Sequence, residues 1–208
     1  MTTALRLTGA SGEYVSTPDT TSLRLTSDLC LVAHVALDDW TPTAPNYVVD
    51  KAQTYRLYVN TTGGLAYYFY YASNRGPYDS TVAPTVSNGE ALWIAVTHDK
   101  AALTCKFWTS SDGSSWSQLG ATITGLYPLM SDTGDELAVG AYASGTFPLT
   151  GNVYYAAVYS GIGANTAPAQ GTLVAEFNPA LPIEPRYRDS TGKIWTLNGS
   201  AYSFVGVA

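Results

Sequence analysis

The sequence predicts an all-β sandwich of two antiparallel sheets, and three observations carry that prediction. Apolar residues recur with a period of two from end to end, as they do on strands that bury one face. Clusters of Gly, Asn, Asp and Ser fall between those runs at short intervals, where tight turns belong. Helical spacing is nowhere sustained. The composition agrees: 46% of the 208 residues are hydrophobic and 12% charged, with 16 Tyr, 19 Gly and 11 Pro. That is too apolar for a disordered chain and suits strands joined by tight turns. A chain of this length supports one sizeable core, so residues 1–208 are expected to form a single domain.

The strands are read in order. Runs at 4–8 and 14–16 open the chain. "DLCLVAHVAL" then sets Leu29, Leu31, Ala33, Val35 and Leu37 on one face and Cys30, Val32, His34 and Ala36 on the other. Both faces are apolar, so this strand is expected to be covered on two sides. Further runs lie at 46–51, 55–60, 64–72, 92–98, 103–109, 116–123, 136–142, 152–160, 172–177, 193–198 and 201–206. Between them "TTGG" at 61–64, "NRGPYD" at 74–79, "SNGE" at 87–90, "HDKAA" at 98–102 and "SSDGSS" at 110–115 carry turn chemistry. "GANTAPAQG" at 163–171 is the one linker-like stretch, too short to divide domains. The strands after it are expected to complete the same sandwich, with 201–206 beside the first strand.

Charge and cysteine usage narrow the partners. The net charge is −6, and the ten basic residues are scattered, a surface that repels phosphate, so nucleic acid is not an expected partner. "MTTALRLTGA" has neither a basic n-region nor an apolar h-region, and no later run is long enough to span a bilayer. Membrane insertion and export by an ordinary signal peptide are therefore not expected. Cys30 and Cys105 each sit inside a strand-like run and are expected as buried thiols; a bridge would need their Cα atoms within about 7 Å.

The residues of hydrolytic chemistry are mostly missing. A glycosidase needs two carboxylates roughly 5 to 9.5 Å apart, whereas Asp38-Asp39 and Asp135-Glu136 are adjacent and would point to opposite faces of a strand. There is no Gly-x-Ser-x-Gly elbow. His34 reads as a core or sheet-face histidine and His98 as a turn residue beside Asp99. No catalytic residue and no cofactor are expected. Calcium is the one metal that the acidic stretches "DDW" at 38–40 and "SDTGDE" at 131–136 could serve, but neither has a calcium-loop spacing, and solvated turn carboxylates are the simpler reading.

The aromatics say more. "LAYYFYY" places Leu65, Tyr67, Phe69 and Tyr71 on one face and Ala66, Tyr68 and Tyr70 on the other, so one row of rings faces away from the core. Phenol rings combine apolar area with a hydrogen-bonding tip and suit a sugar ring or a protein interface; packing beneath a loop is the alternative. Tyr68, Tyr70 and Trp40 are the candidate contact residues. "TSSDGSSW" at 109–116 is similar to the Asp-box of sialidase-type propellers, but Asp112 abuts Gly113 and no second copy exists. Asp-Gly between two apolar arms predicts a hairpin instead, with Gly113 at positive φ and Trp108 and Trp116 packing across it.

The succession "SGEYVSTPDTTSLRLTSDLCLVAHVAL", "YVVDKAQTYRLYVNTTGGLAYYFYY", "ALWIAVTHDKAALTCKFW" and "ELAVGAYASGTFPLTGNVYYAAVYSGI" resembles the laminin-G-like, concanavalin A-like jelly roll. "VALDDWTP", "KFWTSSDGSSWSQLG" and the ending "RDSTGKIWTLNGSA" look like the laminin-G-like modules of bacteriophage virion proteins. That likeness implies a non-enzymatic particle surface protein, a minor tail or capsid-decoration component located in the virion and packed against other virion subunits as a homo-oligomer. The alternative it leaves open is a lectin-like module that recognises host cell-wall glycan. Neither the calcium ligands of some laminin-G domains nor the catalytic carboxylates of the related glucanases can be matched here.

Overall fold

The computed structural model of the chain describes residues 2–71, 73–127, 134–142, 145–162, 167–179, 186–200 and 203–207. The first eight strands are β1 (Thr2–Thr8), β2 (Tyr14–Thr17), β3 (Leu29–Leu37), β4 (Asn46–Lys51), β5 (Tyr55–Val59), β6 (Leu65–Tyr71), β7 (Ser73–Asp79) and β8 (Ala91–Asp99). The second eight are β9 (Thr104–Ser110), β10 (Ser117–Thr124), β11 (Leu137–Val139), β12 (Thr150–Ser160), β13 (Thr172–Phe177), β14 (Arg186–Arg188), β15 (Ile194–Asn198) and β16 (Ser203–Val207). A short 3-10 turn, Thr21–Leu23, lies between β2 and β3. None of them forms a helix long and apolar enough to cross a membrane.

The strands make two antiparallel sheets. The first runs β10-β9-β8-β3-β12-β1-β16, with β13 also paired to β12; the second runs β14-β15-β2-β11-β4-β5-β6-β7. This is a jelly-roll sandwich, as the alternation predicts. The main core gathers Leu29, Leu31, Ala33, Val35 and Leu37 of β3 against Leu65, Tyr67 and Phe69 of β6. The opposite face of β3 is apolar for its own reason. Cys30 and Val32 lie with Ala95 and Ile162 under a lid of Trp93, Trp108, Trp116 and Tyr159. Cys30 and Cys105 thus occupy opposite sides of the first sheet as free, buried thiols. Burial pushes both up to about 12.

β13 and β16 add to the first sheet, and β14 and β15 to the second. β16 pairs with β1, and β13 adds to β12 directly after the linker-like stretch, of which 163–166 lie outside the described residues, as do 201–202. The last hairpin is pinned by Asp189, whose Oδ2 accepts the Trp195 indole N–H at 3.0 Å and the Glu176 backbone N–H at 3.0 Å.

Four local expectations need correction. "NRGPYD" is not a turn but most of β7, the outermost strand of the second sheet, where Pro77 can replace an N–H that no further strand needs. His98 is not a turn residue; it lies in β8 with its side chain fully buried, and its Nδ1 shares a 3.0 Å hydrogen bond with the Tyr67 hydroxyl. Trp40 is not an exposed ring but is 4% exposed, its indole N–H donating to the Glu90 carbonyl. Trp116 meets Trp93 edge-on at 6.4 Å across the sheet instead of pairing with Trp108 over the hairpin. The hairpin itself forms. Asp112 Oδ1 accepts the N–H groups of Ser114 and Ser115 at 2.7 Å each, and Gly113 takes φ +74.

Candidate functional site

The outer face of the second sheet presents a cluster of rings around one buried cation. Asp50 on β4 lies directly opposite Arg56 on β5, and Arg56 lies opposite Tyr68 on β6. All three therefore point outward, on the face opposite Leu57 and Tyr67. Arg56 Nε approaches Asp50 Oδ1 at 3.0 Å, with both side chains nearly excluded from solvent. A charge so buried persists only with a partner, and here the rings complete its surroundings. The guanidinium lies 4.9 Å from the ring centroids of Tyr68 and Tyr142 and 5.9 Å from that of Tyr47, within cation–π range.

Tyr47 extends this cluster toward the rim. Its ring stacks on Tyr58 at 5.0 Å, meets Tyr142 edge-on at 5.5 Å and reaches Phe147 at 5.6 Å. Burial pushes the Tyr47 and Tyr58 phenols upward, so both remain protonated donors at neutral pH. Phe147 ends the series and is 52% exposed. Its φ is +49, a left-handed conformation that a bulky side chain rarely adopts. The turn that holds it is closed by hydrogen bonds from Tyr142 N–H to the Thr146 carbonyl and from Gly145 N–H to the Tyr142 carbonyl, both 2.9 Å. Pro148 follows directly. An apolar ring is thus kept in water by a strained turn and backed by packed tyrosines.

Phe147 forms one wall of a groove of about 470 Å³, whose other lining includes Asp38, Asp39, Thr43, Asn46 and Thr150. Three of its polar groups are fixed by hydrogen bonds. Arg6 grips both oxygens of Asp38, at 2.6 and 2.5 Å, and those hydrogen bonds hold the carboxyl below the usual carboxylate range. Asp39 Oδ1 accepts Thr41 N–H at 2.8 Å, the Thr41 hydroxyl at 3.1 Å and the Asn88 side-chain amide at 3.4 Å. Asn46 Oδ1 accepts Thr150 N–H at 3.3 Å. The arrangement offers a hydrophobic ring beside oriented oxygen acceptors, which is what holding a polyhydroxylated ligand requires.

Of the three residues singled out in the sequence, Tyr68 belongs to this cluster, its ring covering Arg56. Tyr70 lies half-buried on the same face of β6, one step along the strand. Trp40 is buried behind the groove, where the Asn88 side-chain oxygen accepts its backbone N–H at 2.8 Å, and it braces the loop that carries Asp39. The structure does not bring the three together. Sequence reasoning missed Phe147, Tyr47, Tyr142 and Arg56, whose one sequence signal was an aromatic residue inside a Gly- and Pro-bounded turn, "SGTFPLTG". Among the described residues no group of three or more His, Cys, Asp or Glu could hold a metal ion, and 131–133 of the acidic stretch lie outside them.

No protein-family model matches the chain, and no curated protein matches it in sequence. Solved structures do resemble it. A candidate carbohydrate-binding protein from Bacteroides ovatus superposes with a TM-score of 0.65 at 14% identity, over 99% of this chain and 60% of that one. The present chain therefore spans under two thirds of that protein. Domain 4 of AbnA, a GH43 extracellular arabinanase from Geobacillus stearothermophilus, in complex with arabinotriose, gives 0.53 at 17% identity, over 76% and 70%. The CBM40 module of the Ruminococcus gnavus IT-sialidase, bound to α2,3-sialyllactose, gives 0.50 at 14% identity, over 71% and 86%. At these identities the likeness is one of fold.

Proposed function

We propose that this protein is a non-catalytic carbohydrate-binding module that takes a saccharide in the groove beside Phe147. The observation that carries the reading is the half-exposed Phe147 ring, held out by a strained turn at the wall of a groove with fixed oxygen acceptors. A pyranose or furanose presents apolar C–H patches and a periphery of hydroxyl donors. The ring takes the first, and the Asp39 and Asn46 oxygens take the second. The volume suits a ligand of one to three sugar rings. Support from outside the chain is of one kind: jelly-roll sandwiches of this shape include a module bound to sialyllactose and one bound to arabinotriose.

The test is Phe147→Ala with isothermal titration against an oligosaccharide selected on a glycan array. Losing the anchor ring costs about 2 kcal/mol, roughly thirtyfold in Kd. The melting temperature should change little, since about half of the ring is exposed and Ala keeps the same left-handed backbone. Unchanged affinity in a folded variant removes Phe147 from the site.

The setting we propose is a bacteriophage particle, with the module on the capsid or tail in several copies, contacting host cell-wall glycan. What supports it is the sequence likeness of "VALDDWTP" and "RDSTGKIWTLNGSA" to virion modules, whereas the structural likenesses support glycan binding. Immunogold labelling of particles tests this; particles that never carry label remove the virion setting and leave the binding reading standing.

A further inference from the structure

The groove has a sign. Among the described residues its charged lining groups are Asp38 and Asp39, and no described Lys, Arg or His lines it. The nearby cation, Arg6, is committed to Asp38 through two hydrogen bonds. Asp39 is the more telling residue. All three bonds that fix its carboxylate arrive at Oδ1, which leaves Oδ2 as an open acceptor, among the described residues, on a side chain held by the loop. Arg56, the other cation of the site, is buried beneath Tyr68 and Tyr142 and engaged with Asp50, so it does not present a guanidinium to the groove.

We propose that the groove selects uncharged saccharides over those carrying a carboxylate or sulfate, with Asp39 as the specificity-determining residue. The inference rests on the glycan-binding reading. A carboxylate oxygen accepts charge-assisted hydrogen bonds from sugar hydroxyls, and adjacent hydroxyls offer it two donors. The same oxygen repels an anionic substituent seated a few ångströms away. At a partly solvated site such a contact lowers affinity roughly tenfold or more, because no cation in the groove offsets it. Opposite charge preference would have required a guanidinium or ammonium aimed into the cavity, and both nearby guanidinia are turned to carboxylates of the protein itself.

The experiment is titration calorimetry of the full chain with lactose against α2,3-sialyllactose, and with arabinotriose and chitotriose against trigalacturonate. At least one neutral sugar is expected to bind, with the anionic sugars at least tenfold weaker. Raising salt from about 0.05 to 0.5 M narrows that gap, since screening acts on the repulsion alone. Asp39→Asn keeps an acceptor for Thr41 and Asn88, and is expected to preserve the fold, weaken neutral binding severalfold and narrow the gap further. An anionic sugar bound as tightly as the neutral ones overturns charge selection while leaving glycan binding intact. A gap unmoved by Asp39→Asn overturns the assignment to Asp39, and a chain that binds none of the sugars overturns both readings.

Discussion

Replacing His98 by glutamine tests whether a histidine locked in the core makes this sandwich acid-sensitive. His98 is fully buried between the sheets, beside Phe69 at 5.0 Å and Tyr67 at 5.7 Å between ring centroids, and no hydrogen-bond partner reaches its Nε2. Burial lowers it from 6.5 to about 4. For a base with a depressed folded-state value, the unfolded chain binds a proton that the folded chain refuses at pH values between the two. Stability from this group is therefore full above 6.5 and falls as the pH drops toward 4. At pH 4.5 the loss amounts to about 2.5 kcal/mol relative to neutral pH, out of a ceiling of about 3.4 kcal/mol that is approached only below pH 4. Urea unfolding of the wild type and of His98→Gln at pH 7.5, 6, 5 and 4.5 measures it. Gln carries no titrating group, so its stability curve should be flatter by about that amount. His34, half-buried and also lowered to about 4, contributes equally to both curves and cancels. Parallel pH curves for the two proteins would refute the reasoning.

Two further outcomes follow from the first sheet. At Gly113 an added Cβ would fall 2.7 Å from the Trp93 ring, and the residue holds φ +74, so Gly113→Ala should cost about 1 to 3 kcal/mol. Thermal melts read that loss, and tryptophan fluorescence should shift with it because Trp93 stacks on His34 at 4.5 Å beneath the turn. The thiols of Cys30 and Cys105 should not react with Ellman's reagent in the native protein at pH 8, since burial pushes both up to about 12. Two equivalents should appear on denaturation; fast labelling of the folded chain would place a thiol at the surface.

The element pattern was legible because strand periodicity and turn chemistry are local. β4 and β13 fall where the alternation puts them, and β3 is covered on both faces as its doubly apolar pattern demands. β7 was not legible, because Gly and Pro favour turns locally, while at a sheet edge the missing N–H costs nothing. His98 and Trp40 were misplaced for a related reason. A polar ring near a turn reads as exposed until the facing strand supplies Tyr67, and an indole reads as a contact surface until Asn88 and Glu90 arrive to satisfy it.

The candidate site shows the same division. Tyr68 could be assigned to an outward face from "LAYYFYY", since alternation fixes which way each side chain points. That its ring would cover a buried Arg56–Asp50 pair depends on three strands meeting in register. The groove depends on more distant segments still, with Asp39 from the loop after β3, Asn46 from the start of β4 and Phe147 from another loop about a hundred residues later. The sequence by itself determined the sandwich, the faces of its strands and the Asp112-Gly113 hairpin, because each follows from neighbours within a few positions. Only the tertiary structure decided which aromatics reach solvent and which charges line the groove, because exposure is set by what the rest of the chain places against a residue.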